Sequence, residues 1–547
     1  MGKATPLQKE REKFLPKTPS VLENIAVLDW QGQGNAQAAA AELQELFPHL
    51  KTVSITPKTA EAKTARALKV GVVLSGGQAP GGHNVISGVF DGIKQINPDS
   101  KLIGFSGGPK GIMQNKRQEI SQELLQPYRN QGGFDIIGSG RDKIETPEQF
   151  AAAEKTISEL QLDGLVVIGG DDSNTNAALL AEYLQSKGSA CTVVGVPKTI
   201  DGDLRSKEIE ISFGFDTACK IYAEIIGNIA RDALSAKKYY YFIKLMGRSA
   251  SHIALECALQ TQPNLALIGE EIEHKQAKLS GITSQIADLI CKRAEQGKDY
   301  GIILIPEGIV EFVPEFKALI SELNHLLAPG SSVEKQWSAL SHQNEKEEFI
   351  QKQLSESSKQ AFSAIPAEIR QQLLLERDPH GNVQVSKIET ERLFIETVRQ
   401  ELQARKKAGK YSGKFSAQPH FCGYEGRSGL PTNFDSQYCY SLGLVAASLV
   451  NSQKTGYMSC VQNLSKPVAA WQPAGIPLVP LMNIEVRHGK PKPVIKKALV
   501  DLGGKMFQHF SKQRQGWELA DDYLTPGPIQ FYGPPTISEA PPLIVQF

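Results

Sequence analysis

Short runs of β-branched and other apolar residues alternate with segments of helical periodicity between residue 69 and about residue 307. Each run ends at a turn that is rich in glycine or aspartate. Continuous apolar strands separated by helices are typical of a parallel sheet that is covered on both faces. The pattern predicts an open, doubly wound α/β core, in which ligands bind at the carboxyl ends of the strands. The predicted strands are Val70–Ser75, Leu102–Phe105, Leu165–Ile168, Thr192–Val196, Tyr239–Leu245 and Gly301–Ile305.

The flanking segments have a different character. Residues 1–68 are polar and punctuated by prolines, with a helix-like stretch at 36–47, and we interpret them as an N-terminal extension. Residues 315–415 alternate charged and apolar positions at helical spacing, which predicts a helical insertion. Prolines exclude a long helix near the end of the chain, so residues 466–547 are interpreted as a C-terminal extension with an extended tail.

The length of 547 residues exceeds the roughly 250–300 residues at which single hydrophobic cores stop growing. We therefore expect at least two domains, and we divide the α/β core into two lobes. The N-terminal lobe is predicted at 69–235, and the C-terminal lobe at 236–314 together with 416–465.

Charge and cysteine content exclude several classes of protein. The 60 lysines and arginines nearly equal the 59 aspartates and glutamates, so no overall field attracts nucleic acid or an anionic membrane. The seven cysteines lack CxxC spacing, as is typical of core thiols in a reducing compartment. No apolar run of 18 or more residues and no secretory leader is found. These features predict a cytoplasmic protein without membrane or nucleic-acid partners.

A glycine-rich loop follows the first predicted strand and precedes helical sequence, running from Ser75 to Asn84. Glycines allow the backbone to approach an anion, and the amides of a helix N-terminus attract it. We therefore expect Gly76 and Gly77 to cradle a phosphate. The loop lacks the Lys-Ser/Thr ending of a P-loop and does not complete GxGxxG, so a tight turn without a ligand is the structural alternative.

Two adjacent carboxylates, Asp171 and Asp172, follow the strand that ends at Ile168. They would repel a phosphate unless a hard cation such as magnesium stands between protein and phosphate. Asp171 is therefore a candidate magnesium ligand. The alternative is a helix N-cap, in which an aspartate accepts a backbone amide without any metal.

The next strand ends in the segment Pro197 to Asp203, which reads PKTIDGD. If it stays extended, Asp201 and Asp203 face one site, although Gly202 between them makes a turn equally possible. Lys198 supplies positive charge for a transferring phosphoryl group, and Asp201 supplies a base for an accepting hydroxyl. A solvated turn without function is the alternative for this segment alone.

Three further loops carry charged residues. Two of them follow predicted strands, and the third lies just after residue 420, where strand-like sequence begins again. They place Arg248 in MGRS, Glu307 in PEG and Arg427 in GYEGR. An arginine can bind a phosphate through two parallel hydrogen bonds, and a carboxylate can accept hydrogen bonds from sugar hydroxyls. The histidines form no HExxH pair, so zinc hydrolase chemistry lacks support.

Together, these loops resemble the phosphofructokinase family, specifically its pyrophosphate-dependent members of the long, plant-like type. The motifs GGDDSN, PKTIDGD, MGRSASH, PEG and GYEGR occur in the family's order. The resemblance implies a phosphofructokinase-like fold of two Rossmann-like lobes. It also implies reversible, magnesium-dependent transfer of a phosphoryl group from pyrophosphate to the 1-hydroxyl of fructose 6-phosphate, a glycolytic step that gives fructose 1,6-bisphosphate and orthophosphate.

The resemblance also implies the roles of individual residues. Asp201 matches the proton acceptor, Asp171 the magnesium residue with Asp203 as a second candidate, and Gly76 the phosphoryl-donor loop. Lys238 and Tyr239 would reach the sugar-phosphate site of a neighbouring subunit, which implies at least a homodimer. The matched fructose 6-phosphate contacts are Thr199, Ile200, Asp201, Met246, Gly247, Arg248, Glu307, Tyr424, Glu425, Gly426 and Arg427.

Two positions predict the phosphoryl donor. ATP-using relatives have glycine where this chain has Asp172 and Lys198. A carboxylate at Asp172 would repel the α-phosphate of a nucleotide, whereas Lys198 would stabilise the leaving phosphate of pyrophosphate. We therefore expect pyrophosphate as the donor. The alternatives are an ATP-dependent phosphofructokinase and a non-catalytic regulatory subunit of the same fold, which should have lost Asp171 or Asp201.

Overall fold

The computed structural model describes residues 4–33, 40–60, 66–374, 383–487, 490–529, 539 and 541–547. The strands in these ranges are β1 Leu28–Gly32, β2 Ile55–Thr59, β3 Lys69–Leu74, β4 Lys101–Phe105, β5 Arg117–Ile120, β6 Gly164–Gly169, β7 Thr192–Pro197, β8 Tyr240–Leu245, β9 Leu265–Ala266, β10 Gly301–Pro306, β11 Ala417–Cys422, β12 Tyr457–Gln462, β13 Gln472–Pro477, β14 Met482–Arg487 and β15 Lys490–Ile495.

Helices connect and cover these strands. They are α1 Pro6–Lys13, α2 Ala41–Leu46, α3 Gly82–Ile96, α4 Pro109–Met113, α5 Gln122–Leu125, α6 Pro147–Leu160, α7 Asp171–Ser186, α8 Phe215–Ala236, α9 His252–Thr261, α10 Gly269–His274, α11 Leu279–Glu295, α12 Pro314–Leu326, α13 Ser332–Ser338, α14 Gln343–Gln353, α15 Glu356–Ala364, α16 Ala367–Leu374, α17 Thr390–Lys407, α18 Glu425–Ser428, α19 Asn433–Asn451, α20 Lys505–Trp517 and α21 Leu543–Gln546.

The chain divides into two compact units. Unit 1 comprises Met1–Ile221, Tyr424–Ala498 and Ile529–Phe547, and unit 2 comprises Tyr222–Gly423 and Leu499–Pro528. All six strands predicted from apolar runs are present.

Unit 1 contains a mixed sheet with the strand order β1-β2-β13-β12-β7-β6-β3-β4-β5. Strands β12, β7, β6, β3 and β4 run parallel, and the strands outside them join antiparallel. The central strands β3, β6 and β7 are almost entirely buried, as expected for β-branched runs covered on both faces.

Glycines allow two helices of unit 1 to approach closely. A Cβ on Gly88 in α3 would overlap the carbonyl oxygen of Tyr440 in α19. A Cβ on Gly443 in α19 would lie 2.8 Å from the Cα of Gly88. Both positions therefore require glycine for backbone contact between α3 and α19.

The predicted boundaries need a correction in unit 1. We assigned residues 416–465 to the C-terminal lobe, but residues 424–465 belong to unit 1, because α19 packs on α3 and β12 pairs with β7. The two extensions are also more than appendages. Residues 1–68 supply β1 and β2, and residues 466–547 supply β13, so both extensions complete the large sheet. The expected helix at 36–47 is observed at Ala41–Leu46, and residues 36–39 lie outside the described ranges.

Unit 2 has a smaller sheet with the order β11-β8-β10-β9, in which all pairs are parallel. Helices α12 to α17 occupy the range predicted as a helical insertion. Their apolar residues share one core with the sheet, where Phe316 and Phe394 cluster with Phe242. Lys244 of β8 is buried against α17, where its Nζ lies 3.3 Å from Glu391 Oε2.

Candidate functional site

The loops that follow β3 and β6 lie at the point in the sheet of unit 1 where the order of the strands reverses. From β3 the chain passes to β4 on one side and later returns to β6 on the other. Such a reversal separates the loops at the carboxyl ends and opens a crevice for a ligand. The Ser173 hydroxyl donates a hydrogen bond of 2.8 Å to Ser75 Oγ and links the two loops.

Gly76 adopts a backbone conformation that favours glycine, with φ +85°. Its amide donates to the carbonyl oxygen of Gly140 at 2.8 Å. A Cβ at this position would lie 3.2 Å from Lys198 Nζ, and a Cβ on Gly77 would lie 3.2 Å from Arg427 Nη1. Because glycines have no side chain, Lys198 and Arg427 can lie close to the loop that was predicted to cradle a phosphate.

Lys198 is buried, with 5% of its surface exposed. Its backbone amide donates to Gly169 at 2.9 Å, which fixes it at the end of β7. The pKa of the Lys198 ammonium is lowered to about 8, chiefly by burial and also by Arg427 and Arg141, while Asp201 and Asp171 oppose the shift. Lys198 therefore remains mostly charged at neutral pH, in surroundings that favour an added anion.

The segment after Lys198 forms a turn, so of the two conformations left open by the sequence the extended one is wrong. Gly202 has φ +73°. The Asp201 amide donates to Thr199 Oγ1 at 3.0 Å, so the Thr199 side chain orients the aspartate. Ile200 is fully buried, backbone included, so this predicted contact has no surface exposed to a ligand in the structure.

The Asp201 carboxylate follows β7 in the same loop as Lys198. Its Oδ1 atom is buried, has no hydrogen-bond partner among the residues that the structure describes, and lies 3.9 Å from Arg427 Nη2. A buried polar atom usually finds a partner, so an unpaired oxygen at this edge of the sheet is typical of a site that awaits a ligand. The arrangement suits a general base.

Asp171 is the first residue of α7, whose N-cap is Gly170 without a side-chain cap hydrogen bond. The N-cap alternative for Asp171 is therefore wrong. Asp203 is buried, and burial together with Asp201 and Asp171 raises the pKa of its carboxyl to about 7, with Lys497 opposing the shift. Several carboxylates thus share one region of negative potential.

No group of three histidine, cysteine, aspartate or glutamate side chains in the described ranges is arranged to hold a metal ion. Magnesium usually binds to one or two carboxylates and completes its shell with water and substrate phosphate oxygens. The oxygen donors of Asp171 and Asp203 fit a magnesium ion that is bound in this way.

Asp172 has a different environment from Asp171. Its side chain is half exposed, and its Oδ1 lies 3.4 Å from Lys143 Nζ. Two hydrogen bonds fix the loop with Lys143 to α7. The Ile144 backbone amide donates to Asn176 Oδ1 at 3.0 Å, and the Asn176 side-chain amide donates to the Ile144 carbonyl oxygen at 2.6 Å. Asp172 is therefore one partner of an ion pair at the start of α7.

The GYEGR segment lies against the glycine-rich loop of unit 1. Arg427 Nη1 donates to the Gln78 carbonyl oxygen at 3.4 Å, and the Ser428 hydroxyl donates to Gln78 Oε1 at 2.6 Å. Tyr424 is 71% exposed, and Glu425 is exposed as well. Gly426 is buried in the short helix α18.

In unit 2, a hydrogen bond joins Glu307 to the loop of Met246, Gly247 and Arg248. The Gly247 amide donates to Glu307 Oε2 at 3.2 Å, with φ +121° at Gly247. Glu307 and Met246 are buried, whereas Arg248 is exposed. A Cβ on Gly308 would overlap the Arg248 carbonyl oxygen, so the PEG glycine is needed for this close approach. The carboxylate that we expected to bind a sugar hydroxyl therefore also orients the loop of Arg248.

Within unit 2, Lys238 and Tyr239 lie away from the loop of Met246, Gly247 and Arg248. They precede β8, whereas Met246 follows its other end, and six extended residues span roughly 20 Å. Lys238 is exposed and its Nζ lies 5.1 Å from the centre of the Tyr239 ring. A nearby cavity of about 400 Å³ is lined by Tyr241 and His420 among others, but by none of the predicted site residues.

Sequence reasoning missed several residues of the unit 1 site. Lys143 and Lys497 lie far from the recognised motifs along the chain, and no local signal marks them. Asn174 lies within GGDDSN, and its buried amide donates to the carbonyl oxygens of Gly169 and Gly170 at 2.6 and 2.9 Å. Its position in a motif that begins with two glycines could have indicated that Asn174 holds this loop.

No helix in the described part of the chain is long and apolar enough to cross a membrane.

An α/β protein with an anion-binding loop, a buried lysine and grouped carboxylates at a reversal of strand order is suited to phosphoryl transfer. Residues 69–450 match the Phosphofructokinase family model. The chain belongs to the phosphofructokinase family, which confirms the predicted resemblance.

Relatives match along almost the whole chain. Pyrophosphate--fructose 6-phosphate 1-phosphotransferase subunit beta 1 of Arabidopsis thaliana is 54% identical over 534 residues, which cover 96% of this chain and 92% of the relative. Pyrophosphate--fructose 6-phosphate 1-phosphotransferase of Treponema pallidum is 51% identical over 554 residues, which cover 99% and 96%. Their names agree with the predicted pyrophosphate-dependent type.

A solved structure confirms the predicted fold. The pyrophosphate-dependent phosphofructokinase of Nitrosospira multiformis has a TM-score of 0.55 to this chain at 13% identity, and the match covers 84% of this chain and 93% of that one. At such low identity the likeness concerns the fold alone.

Proposed function

We propose that this chain catalyses the reversible transfer of a phosphoryl group from pyrophosphate to the 1-hydroxyl of fructose 6-phosphate. The observation that carries the proposal is the position of the buried Lys198 ammonium, next to Gly76 and under the electrostatic influence of Asp201. A fixed cation, a glycine-rich loop and a carboxylate oxygen without a hydrogen-bond partner in the described ranges are parts that phosphoryl transfer requires. The names of the relatives support the same reaction.

In the proposed reaction, the 1-oxygen of the sugar forms a bond to the nearer phosphorus of pyrophosphate. The bond from this phosphorus to the bridging oxygen breaks, and its electron pair leaves with orthophosphate. Asp201 takes the proton of the 1-hydroxyl, and its unpaired Oδ1 is the accepting atom. Lys198 stabilises the negative charge that develops on orthophosphate.

Arg427 could serve either the sugar or the transferring group on sequence grounds. Its contact with Gln78 and its distance of 3.9 Å from Asp201 favour the transferring phosphoryl group. Arg248, Met246 and Gly247 bind the sugar phosphate in this proposal, with Glu307 as the carboxylate that orients them. Tyr424 and Glu425 are exposed, as contacts to a sugar require.

Asp171 and Asp203 would hold magnesium, which supplies positive charge to pyrophosphate oxygens when bound. The oxygen donors and their shared negative potential support this cofactor. Asp172 lies at the start of the same helix, where its carboxylate would repel a nucleotide.

We also propose that the enzyme acts as at least a homodimer in the cytoplasm. Lys238 and Tyr239 lie at the opposite end of β8 from the Arg248 loop, which supports a role in the site of a neighbouring subunit. The seven cysteines all lie in the described ranges and form no disulfide bond, in keeping with a reducing compartment.

The test compares two phosphoryl donors with purified protein, fructose 6-phosphate and magnesium. We expect turnover with pyrophosphate and little with ATP. A preference for ATP would refute the choice of donor. Turnover with neither donor would favour a regulatory subunit, although the chain retains both Asp171 and Asp201.

A further inference from the structure

A short segment of the C-terminal extension lies against the carboxylates of unit 1. The Ile495 amide donates to Thr175 Oγ1 at 3.0 Å, and the Ala498 amide donates to the Asp203 carbonyl oxygen at 2.7 Å. These two hydrogen bonds fix the backbone on both sides of Lys497. The segment lies beyond the residues that match the family model, which end at 450.

Lys497 extends from this segment toward the start of α7. Its Nζ lies 3.8 Å from Asp171 Oδ2, and the two side chains are 32% and 20% exposed. Lys497 also acts electrostatically on Asp203. The adjacent Lys496 is exposed, and its backbone amide donates to Leu481 at 3.0 Å. Lys496 is therefore a matched lysine from the same segment.

The position of Lys497 affects any cation that binds to Asp171. An ammonium group beside a carboxylate neutralises it and repels a second cation at the same oxygens. Pyrophosphate changes this balance, because its negative charges attract both the ammonium and the divalent ion. A magnesium ion that is held by few carboxylates also depends on phosphate oxygens to complete its shell.

We propose that Lys497 is a further residue of the phosphoryl-donor site, which neutralises Asp171 in the absence of ligand and thereby couples divalent cation binding to pyrophosphate binding. The inference rests on the proposed function, because it assumes that Asp171 holds the cation. Lys497 acts as a positioning and charge-compensating residue, and it takes no part in bond formation.

The experiment measures binding and does not depend on turnover. Free Mn²⁺ is followed by electron paramagnetic resonance during titration of the purified full chain, with and without methylenediphosphonate, a pyrophosphate analogue that cannot be hydrolysed. A titration without protein measures the Mn²⁺ that the analogue binds in solution, and this amount is subtracted. In the wild type we expect the analogue to tighten Mn²⁺ binding by roughly tenfold or more, within the usual range of coupling between two ligands. In Lys497→Met, Mn²⁺ alone should bind roughly tenfold more tightly, and the coupling should be weaker than in the wild type, with the remaining coupling due to the phosphate oxygens that complete the shell of the ion.

Lys496→Met is the control and should behave like the wild type. Lys497→Arg keeps the charge and should restore weak binding of Mn²⁺ alone, and Lys497→Gln replaces the Met variant if that protein does not fold. Equal affinity of the wild type and Lys497→Met for Mn²⁺ alone would overturn the proposal.

The two proposals fail in distinguishable ways. Asp171→Asn should abolish the tight Mn²⁺ binding of Lys497→Met, and retention of that binding would show that the cation is held elsewhere. Absence of turnover by the wild type with pyrophosphate would instead refute the proposed reaction, while the Mn²⁺ titrations would still test the pairing of Lys497 with Asp171.

Discussion

Lys143 Nζ lies 3.4 Å from Asp172 Oδ1, so the carboxylate that we expect to reject ATP is part of an ion pair. The pair is half exposed, and its net charge is zero. Replacing either partner by a neutral residue changes the net charge of this pair by one. The selectivity for the phosphoryl donor therefore depends on two residues, of which the sequence motif contains only one.

Replacement of the Asp172 carboxylate should shift the donor preference. Asp172→Gly leaves the Lys143 cation available to a nucleotide phosphate, so kcat/KM for ATP should rise by roughly tenfold, since one charge at this distance is worth about 1–4 kcal/mol. Steady-state kinetics with both donors measure the change. Asp142→Asn removes an exposed carboxylate from the loop of Lys143 and serves as the control. An unchanged ratio of ATP to pyrophosphate use would contradict the role of Asp172.

Replacement of Lys143 should act through Asp172. Lys143→Met removes the cation that lies 3.4 Å from Asp172, and kcat/KM for pyrophosphate should fall by a factor of a few, as is usual for exposed ion pairs of about 1 kcal/mol. The same substitution in an Asp172→Asn background should have little effect. A double-mutant cycle of kcat/KM measures this coupling, and equal effects in the two backgrounds would show that Lys143 acts independently.

Asp201→Asn should lower kcat by roughly 10²–10⁴-fold, because the amide cannot accept the proton of the hydroxyl. The fold should be unaffected, since Oδ1 of Asp201 has no hydrogen-bond partner in the described parts of the chain. Circular dichroism and thermal unfolding check the fold. Near-wild-type turnover would exclude Asp201 as the base.

Gly76→Ala separates two effects of one methyl group. The positive φ should cost about 1 kcal/mol of stability, and the Cβ would contact Lys198 Nζ at 3.2 Å and raise the KM for pyrophosphate. Gly188→Ala is the matched control, because Gly188 has φ +69° and a Cβ there would have no atom within 4 Å. We expect similar losses of stability but a raised KM in Gly76→Ala alone. An equal KM in both variants would indicate that the loop does not hold the donor.

The rate with pyrophosphate should depend on the charge of Lys198. Since the pKa of Lys198 is lowered to about 8, the ammonium is present below this pH and is lost as the pH rises through it. The value of kcat/KM for pyrophosphate should therefore decline above about pH 8. In Lys198→Arg the rate should be lower, but the decline at high pH should disappear, because arginine stays charged. A decline of the same shape in Lys198→Arg would assign the titration to another group.

The amino-acid sequence determined the central strands and the loops that follow them. Apolar runs such as Val70–Ser75 and Thr192–Val196 are local signals, because a strand buried on both faces needs continuous apolar residues. The motifs around Asp171, Asp201 and Arg427 are also local, and they were sufficient to indicate the family. The antiparallel strands β1, β2 and β13 on one side of the sheet were missed because their sequences lack a continuous apolar run and their pairing depends on distant partners.

Only the tertiary structure decided which distant side chains meet at the site. Lys497 and Asp171 are separated by more than three hundred residues in the chain, and Lys143 contacts Asp172 through a loop that is fixed by Asn176. The conformation of the Asp201 turn depends on φ at Gly202, which the residue types left open. Local patterns record the burial of each strand, whereas the charges that surround a ligand are set by long-range packing, which leaves no periodic signal in the sequence.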